Sequence, residues 1–80
     1  MSETGVFRVV VEKVIPKGRH GPYAVGRHDQ VGSITFSLTG EVWAEDNNPE
    51  PGEIVYLSEL REMQKGWRAY RAQRNAPIQQ

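Results

Sequence analysis

The chain has no cysteine, so neither a disulfide framework nor a thiolate metal site can staple it, and packing and hydrogen bonding must hold it together. It has no apolar run near the ~20 residues that a membrane-spanning helix needs. Histidine is scarce: His20 and His28 are the only two, each in or beside loop-like sequence, and a metal site would need two further ligands. They read as exposed loop residues, and no metal is expected. The acidic stretch EDNNPEPGE (45–53) offers oxygen ligands without the spacing or central glycine of a calcium loop. No nucleophile stands with a base, and no paired carboxylate set is visible, so the expectation is a protein without catalysis or cofactor. The N-terminal MSETGVFRVVVEKVI carries acid before its apolar run and lacks the basic start of a signal peptide, which sets the expectation of a soluble, cytoplasmic protein away from membranes.

Net charge is also absent, since 10 basic side chains balance 10 acidic ones, but the balance is uneven along the chain. Residues 1–28 hold five basic groups against two acidic. Residues 29–62 hold Arg61 against eight acids, and residues 63–80 hold Lys65, Arg68, Arg71 and Arg74 with no acid. If the fold brings the two ends together, one face becomes basic and another acidic, and at a separation beyond about 10 Å each acts alone.

Eighty residues suffice for one small domain, expected to span 1–80 with a tail frayed from about residue 75. β-Branched residues fill Gly5–Ile15, where Phe7, Val9, Val11 and Ile15 share one face at period two. Two prolines and two glycines make residues 16–22 a loop. Tyr23-Ala24-Val25 is a short strand, and Gly26–Gly32 turns the chain. In Ser33-Ile34-Thr35-Phe36-Ser37-Leu38 the apolar residues point one way and the hydroxyls the other, giving one dry and one wet face. A bend at Thr39-Gly40, the segment Glu41–Ala44 and the acidic loop lead to a strand at Glu53–Leu57.

Residues 58–65 allow two readings. Ser58 can cap a short helix that Gly66 closes, or a long hairpin turns at Gln64-Lys65-Gly66. The hairpin is preferred, because it lets KGWRAYRAQR (65–74) join the sheet. Four or five short strands with glycine-rich turns make an all-β fold, and closing the sheet into a five-stranded barrel removes exposed edges.

The order of signals, with KGRHGPYAV (17–25), SITFSL (33–38), PEPGEIVYL (49–57) and a basic last strand, resembles OB-fold barrels of the cold-shock, S1 and TRAM type. An SH3-like barrel is the alternative architecture. Position by position, the resemblance implies nucleic-acid contacts at Lys17, Tyr23 and Phe36, although alternation places Phe36 with Ile34 and Leu38 in the core. The function expected is a non-catalytic module for single-stranded nucleic acid, RNA rather than DNA, with bases stacked on aromatics and phosphates tracked by cations. The candidate contacts are Lys17, Arg19, His20, Tyr23, Arg27, Lys65, Arg68, Tyr70, Arg71 and Arg74. Strict alternation over 67–74 sets Trp67, Ala69, Arg71 and Gln73 against Arg68, Tyr70, Ala72 and Arg74, which makes Tyr70 the stacking residue and Trp67 core or rim packing. The alternative function is a protein-interaction module or accessory subunit, since Trp, Tyr and Arg also dominate protein hot spots.

Overall fold

The alternating stretches become strands, and their inward residues meet in a single core. The computed structural model describes residues 2–64 and 66–75, in five strands: β1 (Ser2–Ile15), β2 (Tyr23–His28), β3 (Gly32–Ser37), β4 (Ile54–Met63) and β5 (Gly66–Gln73). They close a barrel in the order β1-β2-β3-β5-β4. All neighbours are antiparallel except β3 and β5, which run parallel through Ile34↔Trp67, Thr35↔Arg68 and Phe36↔Ala69. A purely sequential meander would pair β4 with β3. Here β4 lies beside β1 and β5 returns between β4 and β3, the Greek-key closure of an OB-like barrel.

The core consists of Val9, Val11, Ala24, Ile34, Phe36, Leu38, Trp43, Val55, Leu57, Leu60, Ala69 and Ala72. Phe36 has no exposed surface. It packs against Trp43, with ring centroids 5.9 Å apart. The contact at Phe36 that the resemblance implied is therefore absent, because period two turns this residue inward between Thr35 and Ser37.

Three local features depart from the sequence pattern. In β1 the register against β2 slips between Val11 and Lys13, a bulge at Glu12, so Val14 rather than Ile15 packs on the core. In β4, Glu59 adopts φ 55°, and the inward side moves from Leu57 to Leu60 instead of Glu59. On β5, opposite, Ala69 and Ala72 are the buried pair, so Ala72 joins the core rather than sharing a face with Tyr70. Strict alternation over 67–74 fails for that reason.

The segment 58–63 extends β4, and Met63 pairs with Gly66 across the hairpin. No helix is present among the described residues, so the short helix near 58–65 gives way to the hairpin reading. β2 continues through His28, three residues further than the apolar triplet Tyr23–Val25 suggests. His28 then closes the turn, its Nδ1 accepting hydrogen bonds from the backbone N–H groups of Gln30 (3.1 Å) and Val31 (3.2 Å). Residues beyond Asn75, including most of the tail expected to fray, lie outside the described residues, as does Lys65.

Candidate nucleic-acid interface

A groove of about 430 Å³ opens on the outer side of β2, β3 and β5, between the loop 16–22 and the β4–β5 hairpin. Its construction follows from the wet face of SITFSL. Ile34 and Phe36 are buried, so Ser33, Thr35 and Ser37 line the outside as a row of hydroxyls. Tyr23, whose neighbour Ala24 is buried, faces the same way and is the register partner of Ser37. On the far side lies β5 at Trp67, the register partner of inward-facing Ile34; Trp67 packs on the core and borders the groove where it does so. Thr35 Oγ1 donates to the Trp67 carbonyl oxygen (3.4 Å) and ties the hydroxyl row to that strand.

The rim is basic. Arg19 and His20 stand on the loop, Arg68 stands beside Thr35 as its partner in the parallel pairing, and Met63 overhangs from the end of β4. No aspartate or glutamate lines the groove. In a chain of zero net charge this groove combines a local excess of cations with the Tyr23 side chain and a row of hydroxyls.

The loop is shaped to hold Tyr23. The Gly21 N–H donates to the Gly18 carbonyl (3.2 Å), closing a tight turn, and the Leu38 N–H donates to the Pro22 carbonyl (3.0 Å). A Cβ on Gly18 would stand 2.4 Å from the Gly21 carbonyl oxygen and 2.7 Å from the Tyr23 ring, so only glycine allows the loop to lie this close to the tyrosine.

Of the ten candidate contacts, Arg19, His20, Tyr23 and Arg68 converge on the groove. Lys17 is exposed at the start of the same loop, outside the lining. Arg27 is exposed on β2 with Nη1 3.8 Å from Glu12 Oε1. Tyr70 lies on β5 beneath the Arg61 guanidinium, 4.7 Å from its ring centroid. Arg71 pairs with Glu59.

Arg74 is placed elsewhere and does something else. Its side chain is paired with Glu53, donates through Nη2 to the carbonyls of Asn47 (3.1 Å) and Asn48 (3.0 Å), and covers the Trp43 ring. It fastens the acidic loop to the end of β5. Glu53 is held below the ordinary glutamate range mainly by its hydrogen bond from the Glu50 N–H, with Arg74 adding to the effect and burial opposing it.

Trp67 packs on the core, as the sequence reading has it, while Met63 and Arg61 carry no contact signal in the sequence pattern. The hydroxyls were legible as a wet face, but that Arg68 stands beside them depends on the parallel β3–β5 pairing, which no local pattern announces. No family model matches the chain, and neither curated proteins nor solved structures give a significant match.

Proposed function

We propose that the groove binds a short stretch of single-stranded nucleic acid without catalysis. The observation that carries this reading is the placing of Tyr23 beside an outward row of hydroxyls, in a groove whose lining includes Arg19 and Arg68 and no carboxylate. The outer face of strands two and three, with the adjoining loops, is where OB barrels take oligonucleotides and oligosaccharides. The cationic rim favours the phosphate-bearing ligand of those two. A base stacks on Tyr23, and Ser33, Thr35 and Ser37 offer donors and acceptors to base edges and to a ribose 2′-hydroxyl, which favours RNA over DNA. The resemblance to cold-shock, S1 and TRAM barrels supports the same assignment at Tyr23 and, less directly, at Lys17.

The test is a titration of mixed-sequence fluorescent single-stranded RNA and DNA at low and moderate salt, with Tyr23→Leu, Trp67→Leu and Arg68→Gln beside the parent. Loss of the Tyr23 ring is expected to cost ~1–3 kcal/mol, the range for one stacked base, whereas Trp67→Leu, which removes core packing, is read on the folded fraction only. Arg68→Gln is expected to reduce the salt slope by about 0.7. Absence of binding at low salt overturns the reading and returns the fold to the role of a protein-interaction module.

A further inference from the structure

A row of register partners crosses the outside of the barrel: Lys13, Val25, Thr35, Arg68 and Arg61 lie side by side on β1, β2, β3, β5 and β4. Thr35 and Arg68 belong to the groove, and Arg61 is the next position beyond it. Arg61 and Arg68 are directly opposed across an antiparallel pair, where like charges destabilise the sheet. Arg27, Arg71 and Arg74 each have a carboxylate partner, whereas among the described side chains no carboxylate lies within 4.0 Å of Arg61 or Arg68. Arg61 is nevertheless held in place, since its guanidinium sits over the Tyr70 ring at 4.7 Å and that contact limits how freely it swings away. Two arginines opposed in register, Arg61 exposed and seated on an aromatic plate and Arg68 half-buried at the groove, offer two forked donors to the oxygens of a phosphate.

Resting on the nucleic-acid reading of the groove, we propose that the bound strand does not end there but leaves over β5 onto β4, with a backbone phosphate between Arg68 and Arg61. Tyr70 acts as a positioning residue that keeps Arg61 beside Arg68. The site then takes more nucleotides than the groove alone holds, and affinity rises with length until the strand reaches Arg61.

The experiment compares single-stranded RNA of about four and about eight nucleotides, within the span of site sizes that OB barrels cover. The proteins are the parent chain, Arg61→Gln, Tyr70→Leu and Arg8→Gln, whose exposed arginine lies on β1 away from the row. Circular dichroism verifies that each is folded. The parent is expected to bind the longer RNA more tightly. Arg61→Gln is expected to lose about tenfold on the longer RNA, with a shallower salt dependence, and nothing on the shorter. Tyr70→Leu follows Arg61→Gln in direction, and Arg8→Gln matches the parent. Equal losses at both lengths, an equal effect of Arg8→Gln, or a length gain that survives Arg61→Gln overturns the extension while the groove reading stands. No binding of either RNA to the parent overturns both.

Discussion

Arg74 lies over Trp43, its guanidinium carbon 5.3 Å from the ring centroid, and the pair joins the end of β5 to the long connection between β3 and β4. Trp43 is buried and donates from Nε1 to the Asn47 carbonyl (2.8 Å), while the Ala44 N–H donates to the Ala72 carbonyl (3.1 Å) and the Ala72 N–H to the Val42 carbonyl (3.0 Å). A connection of sixteen residues without strand or helix of its own is thereby fixed at one end of the barrel. Arg74→Ala removes charged hydrogen bonds and a cation–π contact together. It is expected to lower unfolding stability by about 2–4 kcal/mol in urea denaturation. The affinity of the folded fraction for single-stranded RNA should stay at the parent value, because Arg74 is remote from the groove lining.

The same clamp makes stability depend on pH. Glu53 titrates below the ordinary glutamate range in the folded protein, so the unfolded chain binds its proton more readily than the native one. The stabilisation is fully present above the unfolded value and is lost as pH falls through the folded one. Urea midpoints measured downward from neutral pH should decline across the acid limb in the parent. Glu53→Gln should start lower at neutral pH and decline less steeply there. Parallel curves for the two proteins would rule out Glu53 as a contributor.

The sequence pattern carried the strands well where a dry face and a wet face alternate, as in Ser33–Leu38, and the basic last strand was visible as a charge anomaly. It carried less where a single residue shifts the phase. The bulge at Glu12 and the left-handed backbone of Glu59 each move the inward side by one position, and neither residue type advertises such a conformation. The ten candidate contacts were chosen by charge and aromaticity, so the clamp at Arg74 was indistinguishable from the rim at Arg68. Arg61 is the one basic residue of an acidic block, and only the β4–β5 pairing sets it opposite Arg68. Register, not composition, separates these three arginines.

Gly18→Ala tests whether the loop positions Tyr23. The added methyl meets the Gly21 carbonyl oxygen and the tyrosine ring, and the backbone oxygen has no room to rotate away as a side chain would. The loop 16–22 must open, or the Tyr23 ring must move from its place against Gly18. The clash is confined to this loop, so unfolding stability should fall by about 1–3 kcal/mol, the scale of local overpacking, and affinity is read on the folded fraction. RNA affinity should fall as far as it does for Tyr23→Leu. An affinity equal to that of the parent would show that Tyr23 is placed by β2 alone.

Gly26 presents the opposite situation, a glycine required by the core rather than by the site. It lies buried on β2, where a Cβ would come within 2.7 Å of Val9 Cγ2 and 3.3 Å of Val9 Cβ, with the Phe36 ring at 3.7 Å. Val9 itself is buried, so its methyl has little room to turn aside. Overpacking of this kind typically costs about 1–3 kcal/mol, and Gly26→Ala is expected to lose that much. Val9→Ala alone should also destabilise, by leaving a void. Val9→Ala removes two methyls, and the Gly26→Ala methyl occupies the space of one of them, Cγ2, so the double variant should be more stable than the sum of the single losses predicts, by a coupling of about 1 kcal/mol or more. Additive losses would mean that β1 and β2 move apart to admit the methyl. In that event the register partners Val11↔Gly26 should show weakened amide protection in hydrogen exchange, which distinguishes strand separation from local repacking.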